Sequence, residues 1–436
     1  MTDARRIEPI SPPRDASVSV PGSRSITNRA LVCAALATGT SRLRGWLDAD
    51  DTIAMREGLV ALGATIRDEG GDLVVEGTAG RVFPPRAPID CRLSGSTIRF
   101  LSAVAALADG WVTLDGQPPL RKRPLGSLSQ TLQTLGVKVK GAGDHAPITI
   151  CGPMLERQAT LDASVSGQFL SGLLLAGPCA KDGLRIDVGV VASEPFVEMT
   201  RRVMEMFGAR TTKLWAKVHE VADTSGFAVG STYRASYLVS ASGYTAAEYE
   251  IEPDLMSASY LFAAAAITGG SVLVRGTRRD SMQGDVAVLV ALEEMGCTVE
   301  QRVDGIHVTG GALHGITFDV ASLPDMAPTL AVVACFATGP TTITGTRTLR
   351  VKESDRAAAL EVELTKLGAR VTVAEDEITI EPPGVVHPAR IETYDDHRIA
   401  MAFSVAGLRA SGIEIIDPGC VAKTFPGFYD VLEQLV

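Results

Sequence analysis

The chain has 436 residues, a length that accommodates two or three domains. Hydrophobic residues make up 46% of it and charged residues 21%, so packed cores are expected and disorder is not. Asp and Glu outnumber Lys and Arg by 51 to 41, a formal net charge of −10, which argues against nucleic acid or an anionic membrane as partner. Small molecules met through a local patch of opposite charge are expected instead.

The spacing of cysteines and histidines indicates the redox compartment of the protein and whether it has a metal site. The seven cysteines are scattered singly without a C-x-x-C pair, as in proteins of a reducing compartment. The six histidines form no H-x-x-x-H or H-E-x-x-H spacing, and the N-terminus lacks the apolar core of a signal peptide. The sequence therefore predicts a cytoplasmic protein with no metal site.

Two glycine patterns recur along the whole chain. The first ends an Ala-rich apolar helix and precedes a β-branched strand, at intervals of 69 to 87 residues: Gly39, Gly110, Gly183, Gly270, Gly339 and Gly412. The second ends a helix of 3.6-residue apolar period before alternating strands: Gly63, Gly136, Gly208, Gly296 and Gly368. Each first-pattern glycine suits a left-handed position after a helix.

The repeat predicts six α/β units of about 70 residues, each of βαβαββ type. The one long interval has its excess at 211–254, which we interpret as a crossover between two three-unit domains with a hinge near Pro253. A single solenoid-like array is the alternative, and it is disfavoured because neither end carries a polar capping unit.

The segment PGSRSITNRA, which begins at Pro21, carries the first chemical signal. Ser23, Arg24, Ser25 and Arg29 open a predicted helix, and hydroxyls, unpaired N–H groups and guanidinium groups at a helix start form an anion site. The plainer interpretation is a serine cap with two solvated arginines, and this segment alone does not decide between them.

Further candidate residues stand at predicted helix starts or in loops. They are Gly95 in LSGSTIRF, Arg123 in RKRP, Ser166 and Gln168 in SVSGQF, Asp325 in LPDMAP, Lys352, Glu353 and Arg356 in RVKESDR, His397 and Arg398 in TYDDHR, and Lys423 in KTFP. Alone, RKRP is typical of a solvated corner and SVSGQF and LPDMAP of helix caps, whereas RVKESDR differs because its charges crowd one turn.

Taken together and in this order, the segments resemble the enolpyruvyl transferases, most closely the 5-enolpyruvylshikimate-3-phosphate synthase family. RVKESDR, TYDDHR and KTFP are the most specific of them, SMQGD adds another, and the resemblance covers essentially the whole chain. It implies two domains, each an inverted α/β barrel of three units, joined by a double hinge. Residues 21–252 would form one domain, and 1–20 with 253–436 the other.

The resemblance also implies a reaction. The enolpyruvyl group of phosphoenolpyruvate would move to a hydroxyl of shikimate 3-phosphate through a tetrahedral intermediate, with release of phosphate. The reaction would need no metal or organic cofactor, and ligands would draw the two domains of a monomer together.

Roles follow from the family motifs, residue by residue. Arg24, Arg123 and Lys423 would hold the phosphate of phosphoenolpyruvate, Arg356 and Arg398 its carboxylate, and Gly95 and Gln168 would shape that pocket. Asp325 would be the base on the acceptor hydroxyl, and Glu353 and Lys423 are the candidates for protonating the methylene carbon. Acceptor binding would fall to Ser25, Arg29, Ser166, Gln168, Ser193, Asp325 and Lys352, and His397 would support the site.

Departures from the family pattern concentrate on the acceptor side and leave the acceptor open. On the acceptor side Gly167 replaces a serine and Phe196 a common tyrosine, and on the phosphoenolpyruvate side Arg24 replaces the usual lysine. The 3′-hydroxyl of UMP is therefore an alternative acceptor, and a non-catalytic ligand-binding relative is a second alternative. The acid and base residues, which simple binding would not require, argue against the latter. The candidate site sets seven cations against two carboxylates, so its expected charge opposes that of the whole chain.

Overall fold

The computed structural model describes residues 3–141, 144–222 and 228–435, and it is a mixed α/β structure. The strands, numbered along the chain, are β1 (Ala4–Ile7), β2 (Ala16–Val18), β3 (Ala37–Thr38), β4 (Thr40–Arg44), β5 (Thr65–Glu69), β6 (Asp72–Glu76), β7 (Ile89–Asp90), β8 (Val112–Asp115), β9 (Lys138–Gly141), β10 (Ile148–Cys151), β11 (Gln158–Ala163), β12 (Leu184–Val191), β13 (Thr211–Ala222), β14 (Ala228–Val239), β15 (Tyr244–Thr245), β16 (Glu248–Glu250), β17 (Ser271–Arg275), β18 (Thr298–Gln301), β19 (Gly305–Thr309), β20 (Thr317–Asp319), β21 (Thr341–Thr344), β22 (Arg370–Val373), β23 (Glu377–Glu381), β24 (Ala389–Ile391) and β25 (Ile413–Ile416).

The α-helices alternate with these strands. They are α1 (Arg24–Leu36), α2 (Asp50–Ala61), α3 (Gly95–Ala105), α4 (Pro118–Arg121), α5 (Gly126–Thr134), α6 (Gly167–Ala176), α7 (Glu194–Met206), α8 (Leu255–Thr268), α9 (Ala287–Glu294), α10 (Ala327–Ala334), α11 (Arg356–Lys366), α12 (His397–Gly407) and α13 (Phe428–Glu433). Short 3₁₀ turns precede α9, α10, α11 and α13.

Six sheets share one layout. Their strand orders are β16-β4-β6-β5, β7-β8-β10-β9, β11-β12-β14-β13, β2-β17-β19-β18, β20-β21-β23-β22 and β24-β25-β1. In each, the first two strands are parallel and the following pairs antiparallel. A parallel pair needs a helical crossover and an antiparallel pair only a tight turn, so the layout follows from a strand–helix–strand–helix–hairpin repeat.

The chain separates into two compact units. The N-terminal unit is Arg24–Ile251, and the C-terminal unit joins Met1–Ser23 to Glu252–Val436. Within the C-terminal unit the segments at 21–23 and 252–254 run side by side. Ser23 N donates to Glu252 O at 2.8 Å, and Asp254 N donates to Pro21 O at 2.9 Å. Strands β2 and β1 therefore belong to the fourth and sixth sheets, although they come first in sequence.

Each unit has a core of three apolar helices that contact one another. In the N-terminal unit these are α1, α3 and α6, and in the C-terminal unit α8, α10 and α12. Every residue of α8, α10 and α12 is buried, so these helices do not show an amphipathic pattern. The one arginine of these three helices, Arg398, and the one histidine, His397, lie at the start of α12.

The glycine pattern is confirmed at ten of its eleven positions, where φ lies between +70° and +151°. The prediction for Gly270 is wrong, because the left-handed residue that ends α8 is Gly269, with φ of +73°. Gly270 is needed for another reason: a Cβ there would lie 2.4 Å from Cδ of Pro13.

The extra residues at 211–254 were expected to form a crossover between the two domains, and the structure differs. Most of them form the hairpin of β13 and β14, each 12 residues long, whereas the other hairpins have strands of four or five residues. The extra length belongs to the third repeat, and its tip at 223–227 lies outside the described residues.

Candidate active site

Charged side chains of the C-terminal unit gather where its helices begin. We call them the C-terminal cluster: Asp325, Lys352, Glu353, Arg356, Asp396, Arg398 and Lys423. Asp325 lies in the 3₁₀ turn before α10, Arg356 is the first residue of α11, and Arg398 is the second of α12. The structure thus brings together the six predicted residues of this group and adds Asp396.

Arg356 is the centre of the cluster, and its side chain is fully buried. Nη1 donates to Asp325 Oδ1 at 2.7 Å, Nη2 to Glu353 Oε2 at 2.9 Å, and Nε to Asp396 Oδ2 at 2.8 Å. Burial opposes its charge, but the Asp396, Glu353 and Asp325 carboxylates outweigh burial and raise the pKa of Arg356. The predicted carboxylate clamp is therefore bound by protein carboxylates in this structure.

Asp325 bridges the two arginines that were predicted to act together. Its Oδ2 accepts from Arg398 Nη2 at 2.7 Å, and Lys352 Nζ lies 3.5 Å from its Oδ1. Burial alone would raise the pKa of Asp325, but Arg398, Lys352 and Arg356 overcome it and hold that pKa well below the ordinary value. Asp325 is therefore an ionised carboxylate, the form that a base must have.

Glu353 links Arg356 to Lys423. Its Oε1 accepts from Lys423 Nζ at 3.0 Å, while its Oε2 accepts from Arg356. An ammonium and a carboxylate in direct contact form a pair that can give up and take back a proton. The two predicted proton donors therefore lie together.

Three further residues of this unit were not predicted. Asp396 is buried and caps α12, accepting from Arg398 N at 3.0 Å. Tyr260 OH lies 3.4 Å from Arg398 Nη1. Burial, then the Asp254 carboxylate, raises the pKa of Asp285 to about 7, which the nearby Arg398 only partly offsets. Asp396 and Asp285 stand in motifs that the sequence showed, TYDDHR and SMQGD, but their partners are distant in sequence.

In the N-terminal unit, Arg24 begins α1 and pairs with a carboxylate that was not predicted. Its Nη1 donates to Asp51 Oδ2 at 2.8 Å. Asp51 is buried in the first turn of α2, while 18% of the Arg24 side chain stays exposed. One edge of the guanidinium is thus held by the protein.

Arg29 is buried between α1 and α7. It donates to Thr200 Oγ1 at 2.7 Å, to Ser25 O at 2.7 Å and to Phe196 O at 3.0 Å. Burial lowers the pKa of Arg29 to about 9. The structure therefore shows Arg29 tying the start of α1 to α7 through the backbone beside Ser25.

The starts of α3 and α6 face each other. Arg99 Nη1 donates to Gln168 Oε1 at 2.6 Å, and Gln168 Nε2 donates to Ser96 Oγ at 2.9 Å. A Cβ on Gly95 would lie 2.6 Å from Arg123 Nη1, so only glycine lets that guanidinium approach the start of α3. Gly95, Arg123 and Gln168, predicted to act together, are brought together here, and Arg99 is an addition.

The remaining predicted residues are at helix starts. Ser166 caps α6 and accepts from Gln168 N at 3.3 Å. Ser193 precedes α7 with φ of +55°, and Ser25 is the second residue of α1. His397, the first residue of α12, is buried beside Asp396.

The expected local charge needs correction. Seven cations against two carboxylates is too positive a count, because Asp396 lies against Arg356 and Asp51 against Arg24. Neither pair could be predicted from the sequence, because the paired residues lie 40 and 27 positions apart. Within the described residues no helix is long and apolar enough to cross a membrane, and no group of three or more His, Cys, Asp or Glu is placed to hold a metal ion. The fold and these clusters define an α/β protein equipped to bind small anions.

Comparisons with known proteins identify the family. The model of the EPSP synthase (3-phosphoshikimate 1-carboxyvinyltransferase) family matches residues 10–432, and the chain belongs to that family. The 3-phosphoshikimate 1-carboxyvinyltransferase of Methanosphaerula palustris is 42% identical over 427 residues, 96% of each chain. That of Nostoc punctiforme is 39% identical over 443 residues, 99% of this chain and 100% of the relative.

Solved structures agree with the sequence comparisons. An EPSP synthase from Acinetobacter baumannii is similar with a TM-score of 0.81 and 27% identity, covering 100% of this chain and 98% of that one. The predicted family resemblance and the predicted fold class of repeated α/β units are confirmed.

Proposed function

We propose that this chain is an enolpyruvyl transferase that joins phosphoenolpyruvate to shikimate 3-phosphate, giving 5-enolpyruvylshikimate 3-phosphate and phosphate. Relatives of near-identical length are named 3-phosphoshikimate 1-carboxyvinyltransferase, and carboxyvinyl is the enolpyruvyl group. The observation that carries the proposal is the C-terminal cluster, in which Asp325, an ionised carboxylate, and the Glu353–Lys423 pair are both bound to Arg356.

The cations supply the anion-binding roles. Arg24, Arg123 and Lys423 would bind the phosphate of phosphoenolpyruvate, and Arg356 and Arg398 its carboxylate, since a guanidinium matches a planar anion with two parallel donors. Gly95 keeps room beside Arg123, and Gln168 is held in place by Arg99. Arg24 keeps its second edge for the phosphate while Asp51 holds the first.

The acceptor would be bound by hydroxyls and cations at the other helix starts. Ser25, Ser166, Ser193, Gln168 and Lys352 fit this role. Arg29 would contribute by holding the backbone of Ser25, to which it donates at 2.7 Å. Asp325 would accept the proton of the acceptor hydroxyl as its oxygen attacks carbon 2 of phosphoenolpyruvate.

The two halves of the reaction need opposite proton transfers. In the addition, the Glu353–Lys423 pair delivers a proton to the methylene carbon while Asp325 takes one from the hydroxyl, giving the tetrahedral intermediate. In the elimination, the Glu353–Lys423 pair takes a proton back from the new methyl group, the double bond re-forms, and the C–O bond to phosphate breaks while Asp325 returns its proton to the departing phosphate. Atoms and charges balance without an oxidant or a metal.

Phosphoenolpyruvate binding also explains how Asp325 becomes a useful base. In this structure Arg356 and Arg398 stabilise its ionised form and make it weakly basic. A substrate carboxylate that takes over donors from these arginines would remove that stabilisation and raise the pKa of Asp325. The base would thus be strengthened only when the substrate is bound.

The proposal extends to compartment and assembly. We place a monomer in the cytoplasm, supported by seven free cysteines of the kind expected in a reducing compartment. The two units would be the domains predicted at 21–252 and at 1–20 with 253–436, and closure of these domains on ligands stays a prediction. Light scattering of the purified chain measures the assembly state directly, and a dimer mass would contradict the monomer.

Mass spectrometry of the products tests the reaction and its acceptor. The protein is incubated with phosphoenolpyruvate and either shikimate 3-phosphate or UMP. We expect the enolpyruvyl adduct of shikimate 3-phosphate alone, with its formation abolished in Asp325→Ala and Glu353→Ala. An adduct of UMP alone would replace the acceptor, and ligand-induced thermal stabilisation without any adduct would indicate a binding protein.

A further inference from the structure

Two consecutive residues before α12 have an unusual backbone. Tyr394 and Asp395 have φ of +55° and +54°, the left-handed region that residues with a Cβ rarely adopt. Such conformations persist only where surrounding contacts hold them, and they concentrate at functional sites.

The turn leads directly into Asp396, which orients two arginines. The buried Asp396 carboxylate accepts from Arg398 N at 3.0 Å and from Arg356 Nε at 2.8 Å. A shift of the preceding turn would therefore move the start of α12 and the carboxylate that fixes Arg356. Both arginines belong to the proposed clamp for the carboxylate of phosphoenolpyruvate.

A side-chain hydrogen bond anchors the turn from outside the cluster. Tyr394 OH donates to Glu363 Oε1 at 2.7 Å, while 43% of Tyr394 remains exposed. Glu363 is fully buried, and its other oxygen accepts from Glu392 N at 3.3 Å and from Lys366 Nζ at 2.7 Å. A half-exposed ring packs weakly, so the hydroxyl is the main tether of Tyr394.

The anchor and the arginine belong to the same helix. Arg356 and Glu363 lie seven residues apart in α11, which places them on one face. Arg356 donates to Asp396, and Glu363 accepts from Tyr394. One helix therefore hydrogen-bonds to the strained segment on both sides of Asp395.

We propose that Glu363 and Tyr394 are positioning residues that hold the left-handed turn, so that Asp396 presents Arg356 and Arg398 to the carboxylate of phosphoenolpyruvate. This inference rests on the proposed function. Neither residue touches a reacting atom, so their loss should weaken phosphoenolpyruvate recognition and leave shikimate 3-phosphate recognition unchanged.

Tyr394→Phe removes the tether and little else. A hydrogen bond to a buried carboxylate is lost, and we expect the KM for phosphoenolpyruvate to rise about tenfold while the KM for shikimate 3-phosphate stays within about twofold. Tyr429→Phe is the matched control, since it removes a buried tyrosine hydroxyl from α13, near Ser404. We expect both KM values of this control to match those of the unmodified chain.

A second pair of variants tests the strain itself. Tyr394→Ala loses the tether but keeps a Cβ that disfavours the left-handed turn, whereas Tyr394→Gly loses the tether and adopts the turn without strain. We expect the glycine variant to have the lower KM for phosphoenolpyruvate. If the ring served only for packing, alanine, the less flexible residue, would perform at least as well as glycine.

The outcomes separate this inference from the proposed function. An unmodified chain that makes no enolpyruvyl adduct overturns the proposed function. Turnover with an unchanged KM for phosphoenolpyruvate in Tyr394→Phe, or equal rises of both KM values, overturns the positioning role. Thermal melts of each variant identify any that fail to fold, and the comparison of Tyr394→Gly with Tyr394→Ala then carries the test.

Discussion

Arg24 shares its guanidinium with Asp51: Nη1 donates to Oδ2 at 2.8 Å, and the carboxylate is almost completely buried. A lysine at this position would have one compact ammonium to divide between Asp51 and a ligand. An arginine has two edges, so it can satisfy both partners at once. Arg24 can therefore keep its carboxylate partner while its second edge binds a ligand.

Arg24→Lys should therefore impair this chain, although it restores the residue common in the family. We expect kcat/KM for phosphoenolpyruvate to fall about tenfold, because the ammonium pairs with Asp51 and loses the second edge. Steady-state kinetics measure the effect. Arg67→Lys, in an exposed ion pair with Glu76, is the control. An improved reaction in Arg24→Lys would show that the guanidinium is not adapted to Asp51.

Asp396→Asn should destabilise the C-terminal unit, because it leaves the buried Arg356 short of one compensating charge. We expect a loss of about 3 kcal/mol in the free energy of unfolding, measured by urea titration. Asp355→Asn is the control, since Asp355 also caps a helix, accepting from Ala358 N at 3.1 Å, and asparagine caps equally well. Equal losses in the two variants would mean that capping, not the charge pair, sets the stability.

Gly95→Ala should separate binding from stability. The new Cβ would lie 2.6 Å from Arg123 Nη1, the far end of a flexible side chain, so Arg123 moves and the fold does not. We expect the KM for phosphoenolpyruvate to rise about tenfold with Tm nearly unchanged. Gly189→Ala, where a Cβ meets no atom within 4 Å, is the control. A large drop in Tm for Gly95→Ala would mean that the backbone, rather than Arg123, gives way.

Asp285 should make stability fall as pH rises. Its folded pKa of about 7 lies above the ordinary aspartate value, so between about pH 4 and pH 7 the folded state holds a proton that the unfolded state has lost. Its contribution is therefore full below pH 4 and is lost as pH rises through 7. We therefore compare the free energies of unfolding of Asp285→Asn and the parent chain by urea titration. The difference should favour the variant more at pH 8 than at pH 5.

Asp304→Asn, which replaces an exposed carboxylate of the same unit, is the control variant for that experiment. A difference between Asp285→Asn and the parent chain that does not vary with pH would contradict a raised pKa.

Local patterns predicted what depends on neighbours in sequence. The glycines predicted the repeat because a left-handed residue after a helix is set by local backbone geometry, and the position was missed by one residue where two glycines adjoin, Gly269 and Gly270. The close approach of Pro13 to Gly270, by contrast, comes from far along the chain and had no local signal. The same distinction applies to the site. Helix starts were visible at Arg356 and Arg398, but Asp51 became a partner of Arg24 only through folding. The contact between Tyr394 and Glu363 had no sequence signal either. The left-handed turn at Tyr394 and Asp395 contains no glycine that would have marked it.

The pairing of β1 with β25 sets an order of events during synthesis. The N-terminal unit is one continuous stretch, so it can fold as soon as residues 24–251 have left the ribosome. Residues 4–7 have no partner until residues 413–416 are made, and β2 waits for β17. Residues 4–7 therefore stay unpaired until the sixth sheet is translated, so the C-terminal unit can complete its fold only after residues 413–416 are made.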